Sequence, residues 1–134
     1  MMRSRFLVVG FLVALGAFVA TGCSDSPVSP GINPEVANLT DTFQFQVTSM
    51  ANYTQTLSYA WECTGTVANV DQSCAITDGS GTLVLLDANG TQVYSRSLSA
   101  GGSMPSSAGV AGTWTIRVSF TSTDGTINFR AQKA

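Results

Sequence analysis

From Thr42 onward apolar side chains fall at every second position, and a chain with that period buries its apolar groups as strands of a sheet. Phe43, Phe45 and Val47 alternate with Gln44, Gln46 and Thr48. Leu57, Tyr59, Trp61 and Cys63 alternate with Ser58, Ala60 and Glu62, and Trp114, Ile116, Val118 and Phe120 with Thr115, Arg117 and Ser119. Thr82 to Asp87 reads as a strand buried on both faces. Ala88-Asn89-Gly90 turns it into Thr91 to Arg96, because Asn-Gly supplies the positive φ angles of a tight hairpin. Asp78-Gly79-Ser80-Gly81 and Thr123-Asp124-Gly125 read as further turns, the second leading into a closing strand over Thr126 to Ala131. Short strands are expected around Val67 to Val70 and over Gln72 to Thr77, while Ser99 to Gly109 has no period and reads as a loop or a crossing between sheets. Seven or eight strands at short spacing, with no helical period among them, predict an all-β fold: a single antiparallel β-sandwich of jelly-roll or immunoglobulin-like type.

The first 22 residues differ in kind. Arg3 and Arg5 precede an uncharged run, Phe6 to Ala20, that ends in small residues before Cys23. As a helix this run would be about 22 Å long, short of the roughly 30 Å hydrocarbon core, so it reads as the apolar region of a secretory signal and not as a permanent span. The junction Val19-Ala20-Thr21-Gly22-Cys23 resembles the lipobox of bacterial lipoproteins, with Ala20 where those sequences most often carry leucine. The resemblance implies cleavage before Cys23, acylation of its sulfur and of the new amino terminus, and anchorage in a membrane of the bacterial cell envelope. Ser24 stands where an aspartate retains enteric lipoproteins on the inner membrane, which implies the outer one. Residues 24–40 hold three of the four prolines and few large apolar groups. They read as a tether, with a first strand around Val36 to Leu39 as the alternative. The expected organisation is a signal peptide over 1–22, a lipidated Pro/Ser-rich tether over 23–40 and a β-sandwich domain over 41–134.

Removal of residues 1–22 leaves 112, enough for one domain that buries about two-thirds of its unfolded surface. Its four cations, Arg96, Arg117, Arg130 and Lys133, face eight acids, a net charge of −4 with no basic cluster, so nucleic acid is not an expected partner. The chain contains no histidine, which withdraws the commonest general base and the commonest transition-metal ligand. No Gly-x-Ser-x-Gly elbow, phosphate loop or Cys-x-x-Cys occurs, and the acids are scattered among turns and strand edges. No catalytic residue, metal or cofactor is therefore nominated, and the protein is expected not to be an enzyme. Asp87-x-Asn89-Gly90 resembles part of a calcium loop but lacks the later bidentate acid, which leaves a plain hairpin turn as the preferred assignment.

With Cys23 acylated, Cys63 and Cys74 remain, an even pair in a chain bound for an oxidising compartment. A disulfide between them is expected, contributing about 3 kcal/mol through closure of a short loop, with two buried free thiols as the alternative. Two thiolates without histidine do not complete a tetrahedral metal set. Trp61 and Trp114 fall in register with core positions, whereas Tyr94 is the candidate for an exposed ring. Together with Asp87 and Asn89 of the neighbouring hairpin, Tyr94 forms the candidate binding set.

Leu83-x-Leu85-x-Asp87-x-x-Gly90-x-x-Val93, followed after a loop by Gly112-Thr113-Trp114-Thr115-Ile116-Arg117-Val118, is similar to the carboxy-terminal half of bacterial pre-peptidase C-terminal-type sandwich domains. The similarity spans roughly residues 40–132. It implies a noncatalytic domain of a kind that accompanies secreted enzymes and, in some members, binds carbohydrate or surfaces. Two functions are thus expected: a structural or interaction module presenting a sheet edge or loops to another envelope protein, or a carbohydrate-binding surface module. An apolar patch or an unprotected edge strand marks the first, and exposed aromatic rings clustered with carboxylates or amides mark the second.

Overall fold

The computed structural model describes residues 32–134, so the signal peptide, Cys23 and the first part of the tether lie outside the described residues. Seven strands make up the described chain: β1 (Glu35–Leu39), β2 (Thr42–Cys63), β3 (Ala68–Gln72), β4 (Ala75–Leu86), β5 (Gln92–Ser97), β6 (Gly102–Pro105) and β7 (Gly112–Lys133). β1 falls inside the stretch assigned to the tether, and Ile32 ahead of it is already buried. The folded domain therefore reaches further toward the N-terminus than residue 41. Pairing with β2 is what makes Glu35–Leu39 a strand, since all five of its residues stay exposed and none is held by burial.

β2 and β7 are 22 residues each and pair antiparallel from Thr42↔Gln132 at one end to Cys63↔Gly112 at the other. Midway the register slips three times, between Val47 and Met50, Met50 and Tyr53, and Tyr53 and Gln55. β4 slips at the same level, between Ile76 and Asp78 and between Asp78 and Ser80. Unpaired residues at such bulges bend a strand and raise its twist. Asn52 and Ser122 take φ of 47° and 45° there, in the left-handed region. Phe43 and Tyr59 show how far the sheet folds over: on a straight strand they would stand about 50 Å apart, yet their ring centroids are 5.3 Å apart.

The bend divides one continuous sheet into two layers. The first holds β1, the first half of β2, the second half of β7, β3 and β6; the second holds the second half of β2, the first half of β7, most of β4, and β5. With β2 and β7 each counted as two arms, chain order alternates between the layers as in two Greek keys, giving a jelly roll with β1 added at one edge. The fold is an all-β antiparallel sandwich, and this strand order selects the jelly roll over the immunoglobulin type.

Two expected turns become bends. Asp78-Gly79-Ser80-Gly81 stays inside β4 and Thr123-Asp124-Gly125 inside β7, because each lies against a neighbouring strand that continues through the fold-over and keeps pairing. Gly79 (φ 75°) and Gly125 (φ 134°) still use the freedom of glycine. A Cβ on Gly79 would strike the Ser122 carbonyl, and one on Gly125 the Ala75 carbonyl. Polar side chains stitch the bend. Asn52 N–H donates to Asp124 Oδ1 at 2.7 Å, Ser122 N–H to Thr54 Oγ1 at 2.8 Å, and the buried Thr123 hydroxyl to the Ser80 carbonyl at 2.6 Å.

The core lies between the layers. Phe45 stacks on its cross-strand partner Phe129 at 5.2 Å, and Trp61 meets its partner Trp114 edge-on at 5.9 Å. Trp61 Nε1 donates to the Leu39 carbonyl and Trp114 Nε1 to the Val110 carbonyl, so neither indole is buried unpaired. Leu83 and Leu85 point inward while Val84 and Leu86 are only half-buried. β4 is thus apolar on both faces in sequence but covered on one.

Candidate functional site

The expected binding set is not an exposed site. Tyr94 is buried, and its hydroxyl donates to Gln72 Oε1 at 2.7 Å across the two layers. A one-residue slip in the β4–β5 register turns both Val93 and Tyr94 inward, which strict alternation does not anticipate. Asp87 is buried as well. Its Oδ1 accepts from the Asn89 and Thr91 amides at 2.9 Å each, and its Oδ2 from the Val110 amide at 3.0 Å. These donors, the Thr91 amide foremost, hold its carboxyl below the usual range. Asp87 is the staple of the β4–β5 hairpin to the loop before β7. Asn89 alone of the three is exposed, at the tip of that hairpin.

The loop from Ser99 to Gly109 is also committed to structure. It contains β6, which pairs with β3. Gln72 Nε2 donates to the Ser97 and Ala100 carbonyls, and Arg96 donates to the carbonyls of Gly101 and Gly102. Its hydrogen-bond partners therefore come from both layers, and no apolar period was needed to order it.

Cys63 and Cys74 are free thiols, which corrects the expected disulfide. Cys63 ends β2 and donates to the Gly65 carbonyl, beside Asp41 and Lys133. Cys74 follows β3 and donates to the Asn128 carbonyl. Lys133 and Asn128 lie five residues apart on β7, about 17 Å of extended chain, whereas a disulfide needs Cα atoms within about 7 Å. Burial pushes both thiols up.

What the structure does expose is an edge and a face. All five residues of β1 are exposed, with Val36 at 39 % and Leu39 at 65 %, and among the described residues the strand pairs on one side only. Asn38 Nδ2 latches it to the Ala60 carbonyl of the second layer. At the opposite edge β6 is likewise fully exposed and carries Met104. Between the edges, the outer face of the first layer sets Ala37, Gln44, Arg130, Asp71 and Ser103 in one row across five strands. Gln46 and Asn128 form the next row, and Gln132 and Asn69 the row on the other side. Gln44, Gln46, Asn128 and Arg130 are polar in the sequence alternation, but only the register shows that they meet one another. Among the described residues no aromatic ring is exposed: nine are buried or, in the case of Tyr59, packed half-buried against the core.

The comparisons with known proteins add little to these features. No family model and no curated protein matches the chain. Among solved structures it is similar to procruciferin, an 11S globulin from Brassica napus, at 17 % identity and a TM-score of 0.38, over 81 % of this chain and 29 % of that one. The chain thus spans under a third of the length of that protein.

Proposed function

We propose that the protein is a lipid-anchored, noncatalytic module of the bacterial envelope that engages another envelope protein through the β1 edge. The observation that carries this is β1 itself, an edge strand exposed along its whole length, with the large apolar side chains of Val36 and Leu39 open to solvent. Sheet edges left this open accept an added strand, because their free N–H and C=O groups are a template for pairing; natural folds usually guard them with lysine, proline or a bulge. β1 carries none of these. The absence of histidine supports the noncatalytic part, and the lipobox-like junction at Cys23 supports the anchor. The carbohydrate alternative at Tyr94, Asp87 and Asn89 loses its ring and its carboxylate to internal bonds.

A photo-crosslinking residue at Leu39 in the full-length protein, expressed in its own envelope, is expected to give a discrete adduct. The same probe at Thr82, exposed on the second layer, is expected to give none. Adding Val36→Lys should abolish the Leu39 adduct. Equal adducts from both positions, or none from Leu39, would overturn the edge assignment.

A further inference from the structure

We infer that the partner taken by the β1 edge is a second copy of this chain, its own β1 laid antiparallel against the first about a twofold axis at Ala37. The inference rests on the reading of β1 as an interaction edge and names what fills it. Of the four strands that bound the two layers, three are guarded. β6 ends in Pro105, and Arg96 takes the carbonyls of Gly101 and Gly102 beside it. Ser107 covers β5 by donating to the Val93 carbonyl from both its amide and its hydroxyl. On the second half of β2, Asn38 Nδ2 and the Asp41 amide take the Ala60 and Glu62 carbonyls. Among the described residues β1 alone is open along its length. A molecule with one open edge self-associates through that edge into a closed pair and goes no further.

The sequence of β1 suits such a pair. In antiparallel strands opposite residues face the same side of the sheet, so the positions that meet must share parity. Centred on Ala37, Glu35 meets Leu39 of the second copy, Val36 meets Asn38 and Ala37 meets Ala37, and no residue of either strand is left over. A centre at Val36 or Asn38 leaves two of the five without a β1 partner, and one at Glu35 sets two carboxylates face to face. The full register puts the smallest side chain of the strand directly against itself. It also lays the methylenes of Glu35, the one charged residue of β1, over the exposed Leu39. The first layers then run together as one sheet of ten strands. Five residues a side is a small contact beside the roughly 20 of a stable soluble interface. Anchored copies share one plane and meet at high effective concentration, which reinforces it. The two Glu35 residues would stand about 14 Å apart along the paired strands, and Cys23 lies twelve residues ahead of each, so both anchors fit in one bilayer.

The test uses the full-length protein in its own envelope, with wild type as the reference for the native thiols. Under the mild oxidant copper phenanthroline, Ala37→Cys should give a reductant-sensitive dimer, because the paired Cβ atoms stand about 5 Å apart across the axis. Leu39→Cys alone should give none, its two copies being about 14 Å apart, whereas Leu39→Cys expressed together with Glu35→Cys should cross-link. Adding Val36→Lys to Ala37→Cys should cut the dimer about tenfold, since the added cations lie diagonally across the axis from each other. Leu39→Cys dimers as abundant as those of Ala37→Cys would mark random encounter and overturn the inference. An Ala37→Cys protein that stays monomeric would overturn it too. If the photo-probe at Leu39 then still gives an adduct, of a mass other than twice the monomer, the β1 edge stands and belongs to a different protein; no adduct at all removes the edge itself.

Discussion

The Tyr94 hydroxyl donates to Gln72 Oε1 at 2.7 Å, a buried bond that ties β5 of one layer to β3 of the other. Gln72 is 1 % exposed, and its Nε2 is spent on the Ser97 and Ala100 carbonyls. Tyr94→Phe leaves Oε1 buried with no donor and is expected to cost roughly 1 to 3 kcal/mol. Gln72→Leu strands the Tyr94 hydroxyl and takes a donor from the Ala100 and Ser97 carbonyls, the latter keeping the Ala100 amide, and should cost more. Urea unfolding measures both, and a Tyr94→Phe midpoint equal to wild type would show that water reaches this bond.

Acid should unfold the domain through two staples. The Thr91 amide, then those of Val110 and Asn89, hold the Asp87 carboxyl low; the Thr64 amide, its hydroxyl and Lys133 do the same for Asp41. A folded value below the unfolded one of about 4 means the stabilisation is complete above that pH and is lost as pH falls through the folded values. With no histidine in the chain, the thermal midpoint should stay level between about pH 5 and 8 and fall below about 4. In Asp87→Asn the side-chain nitrogen faces a donor at Val110, so the midpoint drops near neutrality and the gap to wild type narrows in acid. A gap as wide in acid as at neutrality would rule out this account.

Alternation in the sequence located the arms of β2, the inward run of β4, the arms of β7 and the aromatic core, because burial of one face imposes period two whatever the topology. It did not show that two turn-like segments are bends. Asp-Gly supplies the same positive φ to a reversal and to a bulge, as Gly79 and Gly125 do here, and only the strand alongside decides between them. β1 stood only as the alternative to a tether, and β6 was missed, for a related reason: edge strands bury little, so hydrogen bonding and not apolar period defines them. The row Gln44, Arg130, Asp71 and Ser103 was unreadable because its members are separated by up to 86 positions and meet through register alone.

The β4–β5 hairpin and the bend make unequal demands on their glycines. Gly90 has φ of 82° with open space where a Cβ would stand, whereas Gly125, at φ 134°, has the Ala75 carbonyl in that place. Gly90→Ala is expected to cost about 1 to 2 kcal/mol, the left-handed penalty alone. Gly125→Ala adds a backbone collision within the β4–β7 pairing and should cost roughly 3 kcal/mol or more. Chemical denaturation of the two variants side by side checks the order, and equal losses would mean that β4 yields at Ala75.

Both thiols should persist in the purified protein. Its intact mass is expected to be the same with and without reductant, because β3 keeps Cys63 and Cys74 apart. Burial disfavours the thiolate at each, so alkylation at neutral pH should be slow, beginning at the half-buried Cys74 and reaching the buried Cys63 only on unfolding. A mass two hydrogens lighter without reductant would restore the disulfide.

Anchorage, if it rests on Cys23, must vanish with it. Among the described residues no helix is long and apolar enough to cross a membrane. The strands turn Phe43, Phe45, Trp61, Trp114 and Phe129 inward and Gln44, Gln46, Asn128 and Arg130 outward, the reverse of what lipid would require of an exposed face. Nothing in the described sandwich therefore replaces acyl chains, and two or more of them hold a protein where one does not. Cys23→Ala is expected to leave a precursor or a released product, with membrane partition of the mature form abolished and no label taken up from a fatty-acid analogue that marks the wild type. Wild type that stays in the membrane fraction without taking up label would end the lipoprotein assignment, and with it the placement of the β1 edge a tether's length from a bilayer.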